Sequence, residues 1–347
     1  MFYYYEKDGK TLASDRSDLP YAPGTPRAGE PIYYLVEGDP ILGRGSFKVN
    51  APGQLLCPHG LEVLDASRLP QLELDEALSA ALEAGQLTAV NPGRMGWESI
   101  LTAAPNTGKK RVHILAIGDV GSTLLTGLKL LGRDVISTIG ICDLSDQITA
   151  RWEFEMGQIN LPWDYNAFPD VEVVKPENLF DCDVFVFVAS KGIPPVGSQV
   201  KDVRMAQFEN NAAIVKGYAR MARKANFQGL WCAVSDPVDP LAKTAYLESN
   251  KDEEGNWDGK GLRPEQVQGF GLGVMNARAA YFAKKDPKLS SFLTEGRSFG
   301  PHGTGLFIAN SIDHYDEEIS QELTHKTVTA NLVMREIGFK PYVAPAL

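Results

Sequence analysis

The sequence predicts an α/β protein built on a doubly wound parallel sheet. Three observations carry that expectation. An apolar run at Val112–Ile117 meets a glycine-bearing turn, a helix-like segment and a second apolar run that ends at Asp143. From Lys110 onward, apolar runs of strand length alternate with helical patterns. The 347 residues, 44% apolar and 22% charged, suffice for two domains and a sizeable core.

Taken in order, residues 1–104 are rich in Tyr, Pro and Gly. Short apolar runs at Ile32–Val36, Ser46–Val49 and Leu61–Leu64, then a helical stretch at Glu73–Ala84, predict a β-rich segment with one helix. After the strand Val112–Ile117 comes a helix with Leu124, Leu125, Leu128 and Leu131 on one side. A strand at Asp183–Ala189, a long helix from about Asp202 to Lys224 and a strand at Gly229–Val234 follow. Residues 250–261 read as an exposed polar loop, and helices are expected at about 274–285 and 315–336. The expected domains are 1–104, 105–249 and 250–347, with no internal repeat.

Composition excludes some classes of function. A net charge of −10 argues against a nucleic-acid partner. No apolar run approaches a membrane span, so no membrane partner is expected. The start, MFYYYEKDGK, lacks the basic and apolar regions of a signal peptide, which leads us to expect a cytoplasmic protein. Cys142, Cys182 and Cys232 lie in or beside strand-like runs and read as reduced core thiols. Cys57-Pro58-His59 has no second ligand pair, so no metal is expected.

The turn Ala116-Ile117-Gly118-Asp119-Val120-Gly121 stands where a Rossmann-like sheet carries G-x-G-x-x-G. Glycines let the backbone approach a pyrophosphate, and the helix N-terminus offers unpaired N–H groups and a positive dipole end. Alanine at the first position is expected to be a mild change. Asp119 beside a phosphate would cost energy unless it points to solvent. Asp143 suits a ribose diol and would repel a 2′-phosphate, so NAD is the expected cofactor rather than NADP. The competing reading is a purely structural βαβ turn.

Open parallel sheets bind ligands beyond the C-terminal strand ends, which adds Ala189, Ser190 and Ser235 to the cofactor-binding candidates. The Pro- and Gly-containing segment Ser190–Lys201 reads as a loop over a cofactor. Lys201 and Arg204 are candidate contacts for an anionic substrate, or else a solvated helix start. Asp236, at the end of a strand, sits where a nicotinamide would lie, or else caps the helix beginning near Val238. Arg278 lies on a probable helix; facing a cleft, it would bind a carboxylate bidentately. His302 lies in the glycine loop GPHGTG, where a histidine facing a nicotinamide could exchange the proton that accompanies hydride transfer.

Together these segments resemble the lactate/malate dehydrogenase family over about residues 111–340. AIGDVGS resembles its glycine loop, GICD its ribose acid, ASKGIPPVGSQVKDV its mobile substrate loop and VSDPVDPL its S-N-P-V-D turn. NNAAIVKGY resembles the helix after the mobile loop, GLRPEQVQGFGLGVMNARAAY the segment with the substrate arginine, and GPHGTG the loop of the catalytic histidine. The resemblance implies a Rossmann domain plus an α+β substrate domain, a small carboxylate substrate and a homodimer or homotetramer. It makes Arg278 the carboxylate-binding arginine and His302 the proton-transferring histidine.

Several family positions have changed. The asparagine before Pro-Val is Asp236, the histidine-orienting aspartate is Met275, and the two malate-type arginine positions hold Pro195 and Lys201. Replacing asparagine by aspartate trades a donor for an acceptor. Asp236 is a candidate replacement partner for His302, and a 2-oxo or cyclic imino acid fits better than ordinary lactate or malate. Residues 31–85 loosely resemble the family's C-terminal part, which suggests a circular permutation; a separate N-terminal domain is the alternative. The expected function is an NAD-dependent oxidoreductase of altered specificity. The alternatives are a catalytically weakened dinucleotide sensor or scaffold, and other NAD-using chemistry.

Overall fold

The computed structural model describes residues 1–40, 43–56, 69–103, 108–191 and 203–347, with 203–206 entering by their backbone alone. The Leu61–Leu64 run, Cys57 and Lys201 lie outside the described residues. The chain forms two compact units, Met1–Thr107 with Asp258–Glu265, and Gly108–Trp257 with Gln266–Leu347.

The first unit contains β1 (Tyr3–Lys7), β2 (Lys10–Ser14), β3 (Ala22–Pro23), β4 (Ile32–Leu35), β5 (Ser46–Lys48), α1 (Glu76–Glu83), β6 (Leu87–Val90) and the short α2 (Ser99–Thr102). Its sheet runs β3-β1-β2-β4-β6-β5, with β2, β4 and β6 mutually parallel. Alternation along β4 builds two cores: Ile32 and Tyr34 pack with Leu78 and Leu87, while Leu35 packs with Leu12, Val90 and Trp97. The N-cap of α1 is Asp75, which accepts from Leu78 N–H and from the Tyr4 hydroxyl at 2.7 Å. The β1–β2 hairpin escaped the sequence reading. Asp8 and Gly9 both take positive φ (51° and 73°), the type I′ geometry that an Asp-Gly pair favours.

The second unit begins with β7 (Lys110–Leu115), α3 (Asp119–Leu131), β8 (Ile136–Cys142), α4 (Asp146–Gly157) and β9 (Asp170–Val173). It continues with β10 (Val184–Phe187), α5 (Val203–Lys224), β11 (Leu230–Ala233), α6 (Val238–Ser249) and β12 (Val267–Gly269). These strands form an all-parallel sheet ordered β12-β11-β10-β7-β8-β9. That is the order 3-2-1-4-5-6 in chain sense, with its reversal between β7 and β10. The central strands of the sheet are buried on both faces. Val184 and Val186 of β10 pack with Leu125 of α3, while Phe185 and Phe187 meet Trp231 and Tyr218 on the other side.

The same unit continues through α7 (Leu272–Ala283), α8 (Phe292–Glu295), β13 (Arg297–Phe299), β14 (Phe307–Ala309), α9 (Glu317–Glu336) and α10 (Val343–Ala346). The antiparallel β13–β14 pair and helices α7 and α9 share a core of Met275, Ala279, Leu289, Phe292, Ile308 and Leu323. This is the α+β part of the expected fold class. Cys142, Cys182 and Cys232 are free thiols, and burial raises all three, Cys182 and Cys232 to about 12. They are inert core groups.

One buried group ties this sheet to pH. His113 of β7 hydrogen-bonds the Leu179 carbonyl through Nδ1 at 2.8 Å, so Nδ1 carries the proton. Nε2 is buried without a partner, against a Gly140 that has room for no Cβ. Burial therefore depresses the His113 pKa; the nearby Arg111 also lowers it, while Glu172 and Asp181 oppose the shift. A depressed folded-state pKa means that the contribution is present above the ordinary value of 6.5 and is lost as pH falls through the folded value. Thermal melts between about pH 8 and about pH 5 should show a steeper acid-side loss for the wild type than for His113→Asn. Equal slopes would show that His113 does not contribute.

Candidate active site

The turn after β7 forms at a cost. Ala116 takes φ 77°, a left-handed conformation that disfavours alanine by about 1–2 kcal/mol. The expectation that this substitution is mild is corrected accordingly. Gly121 is required by packing, since a Cβ there would lie 2.1 Å from the Ala116 carbonyl oxygen. Gly118 differs: among the described residues a Cβ there would meet nothing within 4 Å. Gly118 is also the N-cap of α3 and supplies no side-chain hydrogen bond to that N-terminus. Asp119 points outward, 4.0 Å from Lys340 Nζ, which removes the electrostatic objection to it. Val120 stands half-buried in the first turn.

Asp143 closes β8 and works on the backbone. Its Oδ2 accepts from Ile117 N–H at 2.8 Å and its Oδ1 from Ser145 N–H at 3.1 Å, joining the turn to the start of α4. Two of about four acceptor positions on a carboxylate are thereby used. Across the sheet, Ser235 Oγ donates to the Ala189 carbonyl at 2.7 Å. Asn211 of α5, 0% exposed, was missed by sequence reasoning. Its Nδ2 donates to the Asp236 carbonyl (2.8 Å) and to Ser190 Oγ (3.3 Å), and its Oδ1 accepts from Lys191 N–H (3.0 Å). The signal available was a polar residue on the buried helical face that also carries Val215, Ala219 and Ala222.

His302, 15% exposed in its side chain, meets Asp236, 53% exposed, with Nε2 to Oδ1 at 3.6 Å. Its Nδ1 lies 2.8 Å from the Gly271 carbonyl, and its backbone N–H donates to Asp239 Oδ2 at 3.0 Å. Asp236 does not cap α6. The N-cap is Pro237, without a side-chain cap bond, and Asp236 turns to His302 instead. Arg278, half-buried on α7, contacts Met275 Sδ at 3.6 Å. Burial lowers its pKa while the charge of Asp236 raises it. No ion pair to a carboxylate engages Arg278 among the described residues. A cavity of about 460 Å³ opens beside His302, walled by Phe208, Pro237, Pro240, Lys243 and Pro301. Arg204 stands in the first turn of α5, of which only the backbone is described. Among the described residues no cluster suited to a metal ion occurs, and no helix is long and apolar enough to cross a membrane.

The strand order, the glycine turn at the switch point and the site at the C-terminal edge define a Rossmann-type α/β protein with an α+β extension. No family model matches the sequence. An L-lactate dehydrogenase of Treponema denticola is 26% identical over 204 residues, 59% of this chain and 58% of the relative. The chain thus spans a little over half the length of the curated relatives that it matches. A lactate dehydrogenase from a Medee basin deep-sea metagenome superimposes with TM-score 0.54 at 18% identity, covering 69% of this chain and 75% of that one. The Archaeoglobus fulgidus malate dehydrogenase, solved with NADH, gives 0.51 at 17% identity over 68% and 74%. The chain is thus similar in sequence to L-lactate dehydrogenases and shares its fold with lactate and malate dehydrogenases.

The two glycines of the turn should separate in stability. Gly121→Ala is expected to cost about 1–3 kcal/mol through the clash with the Ala116 carbonyl, and Gly118→Ala less than about 1 kcal/mol. Denaturant melts of the full chain check this, and equal losses would refute the distinction.

Proposed function

We propose that the protein is an NAD-dependent oxidoreductase acting on a small 2-hydroxy, 2-oxo or imino acid, with a specificity altered from that of its relatives. The observation that carries this reading is the pairing of His302 Nε2 with Asp236, whose charge also acts on Arg278, an arginine with no ion pair to a carboxylate among the described residues. The room at Gly118 among the described residues, the uncapped α3 N-terminus and the spare acceptor positions of Asp143 fit a dinucleotide. NAD(H), when bound, would accept or supply the hydride.

His302 is the acid/base in this proposal, and its Nε2 gives the proton to the reacting oxygen or nitrogen during reduction and takes it back during oxidation. Arg278 holds the substrate carboxylate; its partial burial strengthens that attraction. Asp236 accepts hydrogen bonds from an alcohol, an amine or an iminium N–H and stabilises positive charge there, which favours amino/imino chemistry over a plain ketone. Gly118, Asp119, Val120, Gly121, Asp143, Ala189, Ser190 and Ser235 are the proposed cofactor contacts, and Lys201 and Arg204 are proposed partners of an anionic substrate on their charge alone. We further propose that 105–249 and 250–347 divide cofactor and substrate duties, and that the assembly is a homodimer or homotetramer in the cytoplasm.

The second reading is a dinucleotide-binding sensor without turnover, favoured by Met275 in place of a carboxylate. NADH oxidation over a panel of oxo and imino acids decides between them. Turnover that falls at least about 10²-fold in His302→Asn supports the enzyme, and none in either protein sinks it. Titration should give at least about tenfold tighter binding of NAD than of NADP, a difference of about 1.4 kcal/mol. The reverse order would overturn the role given to Asp143.

A further inference from the structure

We propose that Gly271 is the positioning residue for His302, taking over the orienting function that the family's aspartate would supply and that Met275 cannot. The inference rests on the reading of His302 as the acid/base. A backbone carbonyl can only accept, so the 2.8 Å contact between His302 Nδ1 and Gly271 O fixes the proton on Nδ1. Nε2, facing Asp236, is left free to exchange the catalytic proton.

Gly271 also makes the seat for the ring. A Cβ at this position would lie 2.5 Å from His302 Cβ, 2.9 Å from Cγ and 3.2 Å from Nδ1. The backbone does not demand glycine here, because φ is −132°. The imidazole is therefore what excludes a side chain. A third hold acts on the main chain, where Asp239 Oδ2 accepts from His302 N–H at 3.0 Å. Ring and backbone are thus fixed from β12's end and from α6, and among the described residues Nδ1 is held by the Gly271 carbonyl and by no carboxylate. The charge that balances an imidazolium stands instead on the Nε2 side, at Asp236.

The experiment combines ring ¹⁵N NMR of the full chain with kinetics. The chain has five histidines, and the resonances that vanish in His302→Asn are those of His302. The neutral wild type should show protonated Nδ1 and unprotonated Nε2. Gly271→Ala should lose that single tautomer and lower kcat about 10²-fold, as expected for a reacting group displaced by about 1 Å, with NADH affinity unchanged. Gly273→Ala on the same helix, where a Cβ meets nothing within 4 Å, should behave as wild type. Asp239→Ala should lower kcat and Asp239→Asn, which keeps an acceptor oxygen, should restore it. A wild-type Nε2–H tautomer, or a Gly271→Ala variant with unchanged tautomer and kcat, would overturn the proposal. Should Gly271→Ala fail to fold, the wild-type tautomer and the Asp239 pair decide. Absence of turnover in the wild type would defeat the proposed function, while the tautomer would still decide the positioning.

Discussion

The satisfaction of backbone polar groups at the carboxyl edge of the parallel sheet is the constraint on which the site depends. Parallel strands end together, and each chain leaving the sheet carries N–H and C=O groups that need partners. Side chains provide them here: Asp143 binds Ile117 N–H, Ser235 binds the Ala189 carbonyl, and Asn211 binds Lys191 and Asp236. Asp143 and Ser235, proposed for the cofactor wall, are among the residues that close this edge. Satisfying the backbone therefore fixes where carboxylates and hydroxyls stand, before any ligand is considered.

Much of that edge was legible. The run through Val112, the glycines at 118 and 121 and the acid at 143 placed the turn, because strand, tight turn and helix each have a distinct residue period. The meeting of His302 with Asp236 across 66 positions was suggested by resemblance alone, since periodicity carries no information about such distant contacts. Other features were not legible. Ala116 gives no hint of its positive φ, which is set by its neighbours' need to turn. β9, with three of its four side chains exposed, lacks the apolar run that betrays a buried strand. The Gly271 carbonyl is invisible in principle, because every residue has one and only the fold says which meets a histidine.

The departures from the dehydrogenase pattern form a consistent set. An apolar Met275 contacts Arg278 where the family pattern has a carboxylate, while Asp236, whose charge acts on that guanidinium, also meets the imidazole at Nε2. Negative charge has in effect moved from behind the ring to in front of it. Under the proposed function, a carboxylate in front would disfavour a developing alkoxide and favour a cationic nitrogen.

Asn211 sits with one amide between two strand ends and cannot serve them separately. Its oxygen holds Lys191, at the start of the segment read as the cofactor loop, and its nitrogen holds Asp236, the partner of His302. The amide thus ties the main chain leaving β10 to the main chain leaving β11.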